Sequence, residues 1–194
     1  MFIGYYNKSI ILTFVGLFCS ILGMKFGFDG EYSYAAICMV LSGICDCFDG
    51  YVASLVKRTD DEKRYGVELD SLVDAVCFGG FPVVLSFALG YQKIYHVFIY
   101  FIYLFAGITR LGYFNIDKEN KMYFKGVPIT TISFLMPFIL FFTVNEFVIM
   151  GMFLLISFFF LFHIKINKVS LKGKKIILLL GLFLIGLIFW SVLK

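Results

Sequence analysis

The chain has 194 residues, 61% of them hydrophobic and only 15% charged, with a mean hydropathy of +0.93. A soluble domain of this length would be roughly half apolar and a quarter charged, so a water-soluble globule is excluded and the surplus apolar surface must face lipid. The net charge of +4 is modest, and its basic residues cluster beside apolar runs, which points to a membrane surface and not to nucleic acid.

Backbone polar groups in hydrocarbon must be satisfied within the chain, so each apolar run is read as a helix and the fold as an all-α integral membrane bundle. A span needs about 20 mostly apolar residues. Seven segments qualify: about 9–28, 33–57, 67–90, 94–115, 127–143, 147–164 and 176–193. The first follows Lys8 and lacks a small-residue cleavage pattern, so it reads as a retained helix and not a removable signal. Between the second and third, the stretch 57–66 reads as a short hairpin loop, in which Asp60, Asp61 and Glu62 lie among Lys and Arg as interfacial or capping residues. The fifth opens at Gly126 and Pro128 and is parted from the sixth by the polar patch Thr143 to Glu146. One kinked helix there would bury Asn145 and Glu146 at depth, so two helices are predicted. The segment 163–175 reads as a basic linker against anionic headgroups. Residues 1–194 thus form one domain of six to seven transmembrane helices, with core spans over about 9–164 and 176–193 as a C-terminal addition.

With the 57–66 loop placed in the cytoplasm, alternation puts fourteen of the seventeen Lys and Arg inside and leaves Lys25, Lys93 and Lys194 outside. That bias sets the orientation. Cys19, Cys38, Cys45, Cys47 and Cys77 lie in apolar stretches without a disulfide or zinc spacing and read as free, packed thiols. His96 and His163 fall near opposite membrane faces, which argues against a histidine metal site, and Gly23 and Gly27 form a weak helix-packing notch.

The chemistry lies in Asp46-Cys-Phe-Asp49-Gly50-Tyr-Val-Ala53 and, thirteen positions on, Gly66-Val-Glu-Leu-Asp70-Ser-Leu-Val-Asp74. On helices, residues three or four apart share a face, so Asp46 and Asp49 form one acidic face and Asp70 and Asp74 another. Ala53 and Gly66 fall on those faces, and small residues there leave room for a bulky ligand. Adjacent antiparallel spans bring the two faces together. Four such carboxylates would repel one another unless divalent cations neutralise them. Oxygen ligands suit Mg2+ or Mn2+, and a pair of such ions is the common clamp for displacement at phosphorus.

The pattern D-x-x-D-G-x-x-A … G-x-x-x-D-x-x-x-D, carried by Asp46, Asp49, Gly50, Ala53, Gly66, Asp70 and Asp74, resembles the signature of the CDP-alcohol phosphotransferases. Two departures stand out: Ser54 follows the Ala where the family commonly has Arg, and the Ala-to-Gly stretch is three residues longer than the common form. The resemblance implies a six-helix homodimer, a CDP-lipid donor and two divalent ions held by Asp46, Asp49, Asp70 and Asp74. It also implies that Asp74 is the base, and it brings Thr13, Gly50, Ala53 and Gly66 to the donor. Leu12-Thr13 and Gly16 resemble the segment lining the family's nucleotide pocket.

Gly66-Val-Glu68-Leu-Asp70-Ser71, Arg110-Leu-Gly-Tyr-Phe114-Asn115 and Phe124-Lys125-Gly126-Val-Pro128 resemble the branch of the family that uses L-serine. An amino-acid acceptor needs a cation for its carboxylate, and Arg110 and Lys125 lie on the correct side to supply one, with Asn115 nearby. Each is also open to a plainer reading, as a positive-inside anchor or a helix-end residue. The alternatives are inositol phosphate or glycerol phosphate as acceptor and, in another class, a cation transporter with a carboxylate relay.

Overall fold

A computed structural model describes residues 3–116, 123–167 and 171–192. Helices α1 (Ile11–Phe28), α2 (Tyr32–Ser54), α3 (Asp60–Asp74), α4 (Phe81–Ala88), α5 (Ile94–Ile116), α6 (Ile132–Phe142), α7 (Glu146–Leu161) and α8 (Leu171–Val192) build the bundle. A π-helical segment, Ala75–Gly80, welds α3 and α4 into one rod, Asp60–Ala88. Among the described residues five helices are long and apolar enough to cross a membrane, and Ile129–Phe142 and Glu146–Leu161 are shorter apolar helices. The seven rods correspond one for one to the seven predicted segments.

Helix α1 packs along α2 and α4 through a seam of small buried residues, Thr13, Gly16, Ser20, Gly23 and Gly27. A Cβ at Gly23 would stand 2.3 Å from Phe81 Cζ and 2.8 Å from Cys38 Cβ, so only glycine admits the contact. The notch is therefore a principal packing site and not the weak one expected. Small residues let helix backbones approach where lipid supplies no hydrophobic drive between them.

Pro82 explains the π segment locally. Proline has no N–H for the carbonyl four residues back, which is that of Phe78. The hydroxyl of the fully buried Tyr103 donates to that carbonyl instead, tying the widened turn to α5. The first residue of this turn directly follows Asp74.

The stretch 57–66, expected as a loop, is helical from Asp60 onward. Thr59 accepts from the Glu62 N–H at 3.3 Å while the Glu62 carboxylate accepts from the Thr59 N–H at 2.7 Å, a capping box. Asp60, Asp61 and Glu62 occupy the positive first turn, which is the capping role but on a helix. The break between α6 and α7 falls where expected, with Asn145 capping α7 by accepting from the Phe147 N–H. The basic linker is more structured than expected: β2 (Lys165–Asn167) pairs antiparallel with β1 (Tyr123–Lys125), and α8 starts at Leu171. The C-terminal helix lies on α2 and α6, with Leu184 and Ile188 against Ala36 and Val40.

At the far end of the bundle, the buried His96 accepts the Lys93 backbone N–H at Nδ1, 3.1 Å away. The proton is thereby fixed on Nε2, 3.0 Å from a Glu146 oxygen that also accepts from the Tyr95 hydroxyl. This cluster clamps the start of α5 to the start of α7. All five cysteines are free.

Candidate active site

The opposite end, where α1, the α3–α4 rod and α6 begin and α2 and α5 end, gathers the acidic residues. The spacing expected of two facing helices holds: Asp46 and Asp49 of α2 meet Asp70 and Asp74 of α3. One oxygen each of Asp46, Asp49 and Asp70 lies within 4.8 Å of the others. Asp70 comes within hydrogen-bonding reach of Asp49, and Asp46 within reach of Asp74 and Thr130. Asp74 stands outside the tight triad, joined to it through Asp46, in an enclosed position. The Thr13 hydroxyl approaches Asp49 Oδ2 at 3.4 Å.

A small cavity of about 10 Å3 is lined by Thr13, Ser42 and the four aspartates, with Cys77 and Phe78 at its inner wall. That volume holds a single water-sized species, not a nucleotide. The donor set fits a hard divalent cation: carboxylate oxygens converge from two helices with no soft ligand among the three closest. A larger ligand must extend from this point towards the helix ends. Gly50, which is exposed, has open space where a Cβ would stand, and Gly66 has only the Arg58 guanidinium nearby, at 3.6 Å. Ala53 is half-buried one turn on.

Arg110, only 8% exposed, is a buried cation whose charge acts on Asp74 and Asp46. Its Nε has no hydrogen-bond partner. On another side it lines a cavity of about 220 Å3 with Thr109, Tyr113, Gly126, Phe160 and His163. Asn115 is engaged across the helix interface: its Oδ1 accepts from Ser71 Oγ at 3.1 Å and its Nδ2 donates to Glu68 at 3.4 Å. It braces α5 on α3 and makes no local helix-end bond. The Lys125 backbone lies in β1, and its side chain is outside the described residues, as are Lys118, Lys121 and Lys168.

Thr130 was not expected at the site. It precedes α6 by two residues, and its hydroxyl reaches Asp46 only because the chain turns in through a short 3-10 segment after Pro128. The one sequence signal was a threonine pair where an apolar span should begin.

The profile of the CDP-alcohol phosphatidyltransferase family matches residues 7–163. A CDP-diacylglycerol–serine O-phosphatidyltransferase of Saccharomyces cerevisiae is 33% identical over 135 residues, 63% of this chain and 48% of the relative. An archaetidylserine synthase of Methanothermobacter thermautotrophicus is 29% identical over 120 residues, 61% of this chain and 51% of the relative. A CDP-diacylglycerol–serine O-phosphatidyltransferase of Bacillus subtilis is 31% identical over 99 residues, 50% of this chain and 54% of the relative. The chain spans about half the length of these curated relatives. The matched region contains all four aspartates, both signature glycines and Arg110, and with it the chain belongs to the CDP-alcohol phosphatidyltransferase family.

Proposed function

We propose that this protein transfers the phosphatidyl group of a CDP-diacylglycerol-type lipid, ester- or ether-linked, to L-serine and releases CMP. The observation that carries the reading is the carboxylate triad within 4.8 Å, with Asp74 linked to it through Asp46. The names of the relatives support serine, and one of them acts in the ether-lipid series by its name. Nothing among these relatives favours a cation transporter.

Asp46, Asp49 and Asp70 would hold two divalent ions, Mg2+ or Mn2+, which when bound neutralise the diphosphate and the charge that develops on the leaving phosphate. Asp74 takes the proton of the serine hydroxyl. The hydroxyl oxygen bonds to the phosphorus that carries the lipid, the bond from that phosphorus to the bridging oxygen breaks, and CMP departs with the electron pair. Arg110 pairs with the serine carboxylate through its unpartnered Nε and orients the hydroxyl towards Asp74. An acceptor bearing a phosphate would call for a denser cationic cluster than Arg110 and Lys125 supply. The bundle lies in the cytoplasmic membrane with the site facing the cytoplasm, a reading supported by the basic residues at the site end.

The test is CMP release from a CDP-lipid by purified protein with Mg2+ or Mn2+, comparing serine with inositol phosphate and glycerol phosphate. Release that needs the metal and serine is expected. Release only with another acceptor would overturn the serine assignment, and none with any acceptor would overturn the activity.

A further inference from the structure

The segment joining α2 to α3 carries a second guanidinium with an unbonded Nε, on Arg58, whose charge also acts on the Glu62 carboxylate. Arg58 Nε is buried and makes no hydrogen bond. Among the described residues no carboxylate oxygen lies within ion-pairing distance of it. A buried donor left unpaired costs stability, so such a group in a native fold calls for an explanation.

Its position supplies one. One Nη of Arg58 lies 3.6 Å from where a Cβ at Gly66 would stand. Gly66 precedes Asp70 by four residues and shares its face, so the guanidinium lies over the acidic face of α3, about 6 Å nearer the helix start. On α2, Gly50 follows Asp46 by four residues and is equally displaced towards the same end. The two helices run antiparallel, so the glycines flank one approach to the carboxylates at a common level, with Arg58 on its Gly66 side.

From Gly50 to Ser54, α2 itself carries no cationic side chain. Ser54, one turn past Gly50, donates its hydroxyl to its own helix at Tyr51 O, 2.6 Å away. Arg58 is four residues further on, in the turn whose length departs from the family pattern, and folds back to the glycine.

A CDP-linked lipid gripped at the carboxylates must send its tails into the bilayer. Its nucleotide half therefore leaves in the opposite sense, past the two glycines and towards Arg58. With Nη1 beside Gly66, the other edge of the guanidinium, the free Nε with Nη2, presents two parallel donors, the geometry that takes a phosphate in bidentate fashion. We propose that Arg58 binds the donor in this chain, hydrogen-bonding the phosphate of its CMP half. This rests on the donor assignment above.

The test is equilibrium binding of CMP and of cytidine to the purified full chain in Mg2+, for wild type, Arg58→Ala, Arg58→Gln and Arg58→Lys. Loss of a charge-assisted pair at this half-exposed position should weaken CMP about tenfold in the Ala and Gln variants and less in the Lys variant. Cytidine binding should change less than about twofold, because the phosphate contact is absent. In turnover, kcat/KM for the CDP-lipid should fall with a part of the loss in kcat, because the charge on the departing CMP phosphate grows in the transition state. Arg58→Gln keeps the side-chain length if Arg58→Ala is unstable, and thermal unfolding of each variant reports its folded state. Unchanged CMP affinity in folded variants overturns the proposal while leaving the donor assignment intact. Equal losses for CMP and cytidine overturn the phosphate contact. Wild-type protein that binds no CMP overturns the donor assignment itself.

Discussion

Asp74 lies outside the tight triad and comes within hydrogen-bonding reach of it at Asp46, and the role proposed for it is to take the proton of the acceptor hydroxyl. Replacing Asp74 with Asn should lower CMP release by at least about a thousandfold, the upper part of the range for a general base. CMP binding in the same variant should survive, and a near-normal rate would remove the base assignment. Replacing Arg110 with Ala should raise the KM for serine far more than that for the CDP-lipid, as initial rates with each substrate varied would report. The four aspartates were legible in the chain because carboxylates at helical spacing inside apolar segments have no ordinary structural reason to be there. Thr130 was not legible. A threonine at the start of an apolar helix has such a reason, and only the turn after Pro128 brings its hydroxyl to Asp46. Asn115 was legible as a residue of interest but not in its bonding, because Ser71 and Glu68 lie more than forty residues away in the chain.

Individual elements carry their own consequences. The carbonyl of Phe78 has the Tyr103 hydroxyl in place of the N–H that Pro82 lacks, so Tyr103→Phe leaves a buried acceptor unpaired. A loss of about 1–3 kcal/mol is expected, visible as a lower midpoint in thermal unfolding. Gly23→Ala forces a Cβ into the Phe81 ring and should cost a similar about 1–3 kcal/mol by overpacking, partly restored by Phe81→Leu. Helix positions were readable from apolar length, whereas the start of α3 was not. Its first turn is as polar as a loop, and the Thr59–Glu62 capping box, visible as Thr-x-x-Glu, was outweighed by that composition. The π segment leaves no comparable trace: Gly79, Gly80 and Pro82 permit it without requiring it.

At the scale of the whole molecule the two ends of the bundle are built differently. One end sets four carboxylates against Arg110, the one buried Lys or Arg among the described residues, an arrangement that self-repulsion weakens and a bound divalent ion strengthens. Thermal unfolding should therefore shift upward on adding Mn2+ or Mg2+ and return on chelation, with a smaller response in Asp70→Asn. The other end is closed by His96, Tyr95 and Glu146. The all-α membrane architecture was legible from hydropathy. The contact of α8 with the site-bearing helix was not, since Lys174 Nζ donates to the Cys47 carbonyl at 2.5 Å, across more than a hundred residues of chain.

The widened turn between α3 and α4 also does angular work. An α-helix advances about 100° per residue, so a turn that takes in one extra residue offsets everything beyond it by that amount. Wound as one uninterrupted α-helix, the 29 residues of Asp60–Ala88 would carry Phe81 and Leu85 round by roughly a quarter turn relative to Asp70 and Asp74. The rod could then seat Phe81 and Leu85 on the glycines of α1 or aim its carboxylates at α2, but not both. Ala75–Gly80 is thus a phase correction between two tasks, and a one-residue deletion within it is the indel this rod is best fitted to absorb.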